Sequence, residues 1–376
     1  MKIGLVCPYN MNRGGAVQEI VHDMRVDLQG RGHDVKIITP QPRDISNMDT
    51  THTIFLGGGA DFRSPMKTVP TMSASVDTDT IDHVLEQEKF DVLHFHEPWV
   101  PVLSRQILTR SKSVNIATFH ASIPETLMSR TIVKVVTPYT VPILKYIHEF
   151  TAVSEPASVY LRSLTDRPIH MIPNGIDLER YSWNNHKRSV KGKKTVLYLG
   201  RLEARKGVKF LLRAFKILEE KDQNVHLVIA GKGPDQEKLE LLAEDLKIQN
   251  VTFMGYVTHE EKMELLASAD LFAAPAIFGE SFGLVLLEAM ATGNLIVAGN
   301  NAGYVDVMDG LGQLSLVNPR DPAEFARRMH VLLHEPAVQQ MMLDWSKTYV
   351  QQFAYPKIID QYIGIYKKAL KDQKAG

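Results

Sequence analysis

Thr195-Val196-Leu197-Tyr198-Leu199-Gly200-Arg201-Leu202-Glu203-Ala204-Arg205-Lys206-Gly207 is a short apolar run that stops on a glycine and passes into a charged turn. It reads as a buried strand followed by a loop, and it restarts halfway along the chain a rhythm set at the beginning. There, Ile3–Cys7 is an apolar run, Gly14-Gly15 follows, and Val17, Ile20, Val21, Met24 and Leu28 share one face at helical spacing. Val35–Thr39, Val92–Phe95, Ile116–Phe119 and Phe150–Val153 continue the first series. Val225–Ala230, Val251–Met254, Leu271–Ala274 and Leu295–Ala298 continue the second, separated by helical segments such as Gln236–Lys247. Buried strands alternating with amphipathic helices indicate parallel α/β architecture, here in two Rossmann-like, doubly wound domains. The expected boundaries are 1–180 and 195–354, with the polar, basic stretch 181–194 as a solvated linker. Open parallel sheets bind ligands at their strand carboxyl ends, so two such domains are expected to present those ends to a shared crevice.

Composition narrows the function classes. A chain of 376 residues has room for two cores. Its 44% apolar and 23% charged residues are those of a globular protein, and a formal net charge of +0 offers no bulk attraction for nucleic acid. Cys7 is the single cysteine and has no intramolecular disulfide partner, which fits a reducing compartment. Its place in an apolar strand makes it a core residue rather than a nucleophile. The first strand leaves no room for a signal peptide, and no apolar run reaches 18 residues. Thr131–Ile147, interrupted by Lys134, Pro138, Pro142 and Lys145, could lie on a bilayer but not span it. The expectation is a cytoplasmic protein.

Three motifs carry chemistry. Gly14-Gly15 lets backbone N–H groups approach a phosphate at a helix N-terminus, although a diglycine alone fits a tight turn equally well. The dinucleotide fingerprint GxGxxG is absent. Arg201 and Lys206 follow a strand where a diphosphate would lie, and two fixed cations there could stabilise a departing nucleoside diphosphate without a metal. Taken alone, they also read as solvated surface charges. Gly279-Glu280-Ser281-Phe282-Gly283-Leu284-Val285-Leu286-Leu287-Glu288 places one glutamate just before a helix and another two turns into it. Two glutamates on a helix are usually a solvated face, but this pair resembles the paired-glutamate motif of family 4 retaining glycosyltransferases. That implies donor-sugar hydroxyls on the first and ribose hydroxyls on the second, with the N–H groups of Ser281, Phe282, Gly283 and Leu284 free to face the diphosphate. His120 closes the strand Ile116–Phe119 and could meet a ligand there, or could be structural. Asp77-Thr78-Asp79 matches a metal-binding DxD, but it begins an acidic helix. His94-x-His96-Glu97 could chelate zinc, yet no third ligand follows at convincing spacing. No metal or other cofactor is expected.

Together, the paired glutamates, Arg201, Lys206, His120 and Gly15 resemble glycosyltransferase family 4, over nearly the whole chain. More narrowly, Met1–Tyr9, Phe95-His96-Glu97-Pro98, Ala117-Thr118-Phe119-His120, Ala152-Val153-Ser154 and Ile172-Pro173-Asn174-Gly175 are similar to its phosphatidylinositol mannosyltransferase branch. The resemblance implies the GT-B fold and a retaining, metal-independent enzyme at the inner face of the cell membrane. It implies donor contacts from Gly15, Arg201, Lys206, Glu280 and Glu288, with Val257 beside the base and His120 beside the transferred sugar; Gly14 is a donor-side candidate through the diglycine. Tyr9, Gln18 and His120 are the acceptor-side candidates, and the last helix, within 355–376, would return to the first domain. The sequence departs from this branch on the acceptor side. Glu125 stands where the branch has a lysine, and the helix preceding Asp91-Val92-Leu93-His94 carries Asp77, Asp79, Asp82, Glu86 and Glu88 instead of a basic face.

The leading expectation is transfer of mannose or glucose from a GDP- or UDP-sugar to a membrane lipid of phosphatidylinositol or diacylglycerol type. A soluble acceptor is the alternative, and a non-catalytic nucleotide-sugar binder the remote one. Apolar Arg130–Lys145 is the candidate lipid-facing segment, with a proline-broken core helix as its competing reading. Oligomeric state is not legible.

Overall fold

The computed structural model describes all residues except 13–14, 43, 45–49, 62–70, 74–75, 101, 123–126, 183–191 and 376; for 59–61, 71–73, 127–132 and 135 it describes the backbone only. The chain divides into two compact units, Met1–Gly175 with Tyr355–Gly376, and Ile176–Ala354. The polypeptide therefore passes between units twice.

The first unit holds strands β1 (Lys2–Val6), β2 (Asp34–Gln41), β3 (Thr53–Asp61), β4 (Thr71–Ser73), β5 (Val92–His96), β6 (Val114–Phe119), β7 (Glu149–Ala152) and β8 (Ile169–Met171). Their order across the sheet is β4-β3-β2-β1-β5-β6-β7-β8. All neighbours are parallel except β3 and β4. The second unit holds β9 (Lys194–Leu199), β10 (Val225–Ala230), β11 (Val251–Gly255), β12 (Leu271–Ala274), β13 (Leu295–Gly299) and β14 (Leu316–Val317), ordered β11-β10-β9-β12-β13-β14 and parallel throughout. Helices cover both faces of such sheets, which is why β5, β6, β12 and β13 are buried along their whole length and read as continuous apolar runs.

The core of the second unit shows how helices attach. In helix Val208–Lys221, Leu211, Leu212, Phe215 and Leu218 bury one stripe against Val196, Leu227, Ile229 and Phe325. Helix His259–Ser268 opens with a capping box in which Thr258 and Glu261 exchange hydrogen bonds. In the first unit, Asp77 is the N-cap of helix Thr78–Glu88 and accepts from Thr80 N–H, which accounts for this aspartate structurally. Glu88 is buried and clamped by Lys2 and Lys36 at 2.7 and 2.6 Å, and Asp82 pairs with Arg110. The helix is thus less acidic in context than its sequence suggests. Its partners come from elsewhere in the chain.

In each sheet the chain winds outward from the middle in one direction and then the other. The direction reverses between β1 and β5 in the first unit, and between β9 and β12 in the second. In open parallel sheets such a reversal is where ligands bind, at the loops that leave the strands' carboxyl ends. The described residues of those loops are 7–12, 15, 97–100, 102, 200–207 and 275–283.

Candidate active site

In the second unit, the loops after β9 and β12 are pressed together. Gly207 has φ +71, and a Cβ on it would stand 2.0 Å from the Pro275 carbonyl oxygen, so only glycine fits. Ile277 N–H donates to the Arg205 carbonyl at 2.9 Å, closing the two loops side by side. A tight turn over Ala204–Lys206 then aims both cations at Glu280. Arg205 Nη1 donates to Glu280 Oε1 at 2.6 Å and to the Gly279 carbonyl at 3.1 Å, and its Nη2 pairs with Glu203 Oε1 at 2.7 Å. Lys206 Nζ reaches the same Glu280 oxygen at 2.9 Å. Burial disfavours the charged Arg205, but Glu280 and Glu203 outweigh it and raise its pKa further.

Lys206 and Glu280 are therefore together. Arg201 is not with them: its side chain is exposed and makes no ion pair or hydrogen bond among the described residues, while its carbonyl accepts from Tyr198 Oη at 2.8 Å. Arg205 takes the central place. It lies four residues further along the same stretch, and only the turn at Ala204–Lys206 distinguishes the two arginines.

Helix Leu284–Ala291 follows. Gly283 at its N-cap has φ +104 and supplies no side-chain cap, and a Cβ there would strike the Tyr304 ring at 2.7 Å. An uncapped N-terminus at a switch point presents N–H groups and the positive end of the helix dipole to an anion. Phe282 is buried in edge contact with Phe353, so it offers its backbone rather than its ring. Ser281 and Leu284 are half-buried. Glu288, in the second turn, is 7% exposed and accepts from Lys262 Nζ at 2.7 Å and Tyr181 Oη at 3.0 Å. Lys262 also lies over the Tyr181 ring. The two glutamates thus sit in separate charge clusters. Val257 is half-buried between β11 and the Thr258 cap, beside Tyr256, which is 73% exposed.

The first unit contributes a second constellation. Gly15 is the extended N-cap of helix Ala16–Gly30, without a side-chain cap, and the Gln18 amide folds over it and donates to the Asn10 carbonyl at 3.4 Å. Gly14 and Glu125 lie outside the described residues. The Tyr9 carbonyl accepts from Thr39 Oγ1, and burial, with Glu97 and Cys7 adding, pushes its phenol well up. The Cys7 thiol is pushed up to about 12 by burial, so it is no nucleophile. No hydrogen bond joins Tyr9 or Gln18 to His120 among the described residues.

His120 belongs to a buried row. Residues i and i+2 share a strand face, so His94 and His96 point the same way from β5, and the parallel register sets them beside Ile116 and Thr118 of β6. His94 is held by Tyr366 Oη at 2.7 Å and Thr118 Oγ1 at 2.6 Å. His96 Nδ1 meets His120 Nε2 at 2.9 Å. Glu97, with φ +53, turns its carboxylate back to accept His120 N–H at 2.7 Å and the Trp99 indole N–H. Burial lowers His94 and His120 to about 3 and His96 well below its ordinary value, and raises Glu97 to about 7. His94 has both ring nitrogens on hydroxyls, whereas His96 gives Nδ1 to another imidazole and its Nε2 has no partner among the described residues. The His-x-His spacing on one strand face was the available signal for this row.

Comparisons with known proteins give the family and the fold. Residues 14–180 match the family described as Glycosyltransferase Family 4, and residues 180–348 that described as Glycosyl transferases group 1. The chain is 30% identical over 369 residues to the phosphatidyl-myo-inositol mannosyltransferase of Mycobacterium leprae (strain TN), spanning 98% of this chain and 96% of the relative. It is 32% identical over 330 residues to that of Mycolicibacterium smegmatis, spanning 85% and 82%. Sucrose-phosphate synthase from Thermosynechococcus elongatus has the same fold, with a TM-score of 0.78 at 19% identity over 99% of both chains. So does Anabaena HepE in complex with UDP and glucose, with a TM-score of 0.78 at 17% identity over 98% of this chain and 100% of that one. The two-sheet architecture is the GT-B fold.

Proposed function

We propose, from the premise that this chain belongs to glycosyltransferase family 4 and is a glycosyltransferase, that it moves a hexose with retention from a nucleoside-diphosphate sugar to a hydroxyl of a lipid headgroup. The observation that carries this reading is the Arg205–Glu280–Lys206 cluster at the β9/β12 switch point. A diphosphate placed against Lys206 and the uncapped helix at Leu284 would meet fixed cationic and dipolar groups where charge develops as the glycosidic bond breaks. Glu280 has a second carboxylate oxygen for sugar hydroxyls. Glu288 would accept from the ribose, Val257 would flank the base, and Gly15 with Gly14 would admit phosphate from the first unit. His120 is the first unit's group for the transferred sugar, and Tyr9 and Gln18 are its acceptor candidates. Arg201, exposed and uncommitted, remains available to the diphosphate.

With two cations at the cluster, the leaving group needs no metal. Mannose as the sugar and a phosphatidylinositol headgroup as the acceptor are the preferred pairing, supported by the names and coverage of the relatives; the donor is a GDP- or UDP-sugar. No helix among the described residues is long and apolar enough to cross a membrane. We place contact with lipid at the surface of the inner membrane face. Incubation with a panel of GDP- and UDP-sugars, in EDTA, with and without extracted lipids, tests the reading. Lipid-dependent transfer with the donor's anomeric configuration kept in the product supports it. Activity that vanishes in EDTA and returns with magnesium, or a product formed only from a soluble acceptor, would overturn the corresponding part.

A further inference from the structure

We infer that His96 is a positioning residue for His120, setting which nitrogen of that ring carries the proton and hence what the ring offers a substrate hydroxyl. The inference rests on the reading of His120 as a substrate-facing group. Both rings are buried, and the 2.9 Å contact between His96 Nδ1 and His120 Nε2 needs one proton between two nitrogens. The remaining nitrogens, His96 Nε2 and His120 Nδ1, are buried without a hydrogen-bond partner among the described residues. The Asn174 side chain also faces the His120 ring and favours its protonated form by hydrogen bonding, although no bond of full hydrogen-bond geometry reaches Nδ1.

With both imidazoles neutral, only two arrangements exist. Either His96 donates, so that His120 carries its proton on Nδ1 and presents a donor, or His120 donates through Nε2 and its Nδ1 presents an acceptor. In each case His96 Nε2 has the opposite character. The two unpartnered atoms are always one donor and one acceptor, and they exchange roles together. A buried polar atom left unmatched costs about 1–3 kcal/mol, so two of them in one pair call for a further partner, a water or a substrate hydroxyl.

The surroundings hold this pair still. Glu97 fixes the backbone of His120, and the His96 ring lies 4.3 Å from that of His94, whose own nitrogens are both engaged. The His96 ring has little freedom, so His120 receives one defined partner. Removing that partner frees the His120 ring to change tautomer and to turn.

Three substitutions and one spectrum test this. His96→Leu keeps bulk but no hydrogen bond, and should lower kcat about 10- to 100-fold, by analogy with partners that orient metal-bound histidines, with KM for the sugar nucleotide little changed. His96→Asn places an amide where Nδ1 stood and should restore most of the rate. His96→Gln places it further out, near Nε2, and should not. Long-range 15N correlation of histidine-labelled protein should show one neutral tautomer for His120 in the wild type and a mixture in His96→Leu. Full kcat in His96→Leu, equal rescue by Gln and Asn, or an unchanged His120 tautomer would overturn the inference. If the wild type transfers hexose from no sugar nucleotide, the functional reading fails instead, and the spectrum still decides the histidine pair.

Discussion

Arg205 joins three acceptors from two loops: Glu280, the Gly279 carbonyl and Glu203. A guanidinium is planar and forked, so it can span them, whereas an ammonium on a flexible stem cannot. Arg205→Ala is expected to release Glu280 and lower kcat about 100-fold, the effect of an ångström-scale misplacement of a reacting group. Arg205→Lys should recover little of it; full activity of the Lys variant in steady-state assays would remove the positioning role. The paired glutamates should part company. Glu280→Ala takes one negative charge from beside Lys206 and Arg205, so binding of a free nucleoside diphosphate should persist or tighten while sugar transfer is lost. Glu288→Ala removes the partner of Lys262 and Tyr181 and should weaken nucleotide binding itself. Calorimetry separates the two, and an equal loss of affinity in both would contradict the division.

At the scale of elements, the ends of β5 and β6 store a pH dependence. Three histidines there have folded pKa values depressed below the ordinary 6.5, to about 3 for His94 and His120, so their contribution to stability is present above pH 6.5 and lost as pH falls through the folded values. Glu97 works the other way. Its folded pKa is raised by burial to about 7 from an ordinary 4.5, and its protonation favours the fold as pH falls through that window. Three protons gained on unfolding against one lost leave a net of about two, so near pH 5.5 stability should rise with pH by about 2–3 kcal/mol per unit from this row. Hydrogen exchange of β5 and β6 amides, corrected for intrinsic rates, measures it. His94→Gln should reduce the slope by about one proton, and an unchanged slope would show that the histidines are not neutral in the fold. Helix Leu127–Thr140 and the turn Val141–Tyr146 form the other element with a testable surface. Burial of Thr140, Ile143 and Leu144 assigns part of this segment to the core, whereas Tyr139 and Val141 are each 48% exposed. An interfacial role therefore rests on the exposed apolar part. Tyr139→Asp with Val141→Asp should abolish vesicle co-sedimentation, and the wild type should depend only weakly on salt. Unchanged binding by the folded double variant would retire the lipid contact at this segment.

At the scale of the molecule, the last helix, Tyr355–Ala375, belongs to the first unit despite following the second in sequence. Tyr362 and Tyr366, four residues apart on one helix face, are buried beside His94, and Tyr355 packs where Gly175 has no side chain. Ending the chain at residue 354 removes both tyrosines, and burial of one large aromatic contributes several kcal/mol. The first unit should then lose protection in β5 and β6 while β9, β10 and β12 keep theirs. Equal loss in both units by hydrogen exchange would show that the helix stabilises the whole chain.

Much of this was legible in the residues themselves, because local pattern encodes local structure. Apolar runs ending in glycine at Leu199-Gly200, and helical stripes such as Leu211, Leu212, Phe215 and Leu218, are enough to define two parallel α/β series, since burial on both sheet faces demands them. Gly279–Glu288 likewise carries its chemistry in its spacing. Tertiary structure alone decided what meets what. Strand order, with its reversals at β1/β5 and β9/β12, depends on crossovers that leave no mark within a strand. Arg201 and Arg205 look alike in sequence, and a single tight turn sends one to solvent and the other to Glu280. Glu88 reads as a surface acid until Lys2 and Lys36 arrive from β1 and β2. His94, His96 and His120 become one row only because β5 and β6 pair in parallel register, and Tyr366 joins them from the far end of the chain. Contacts between residues distant in sequence are set by packing of the whole unit, and no local pattern contains them.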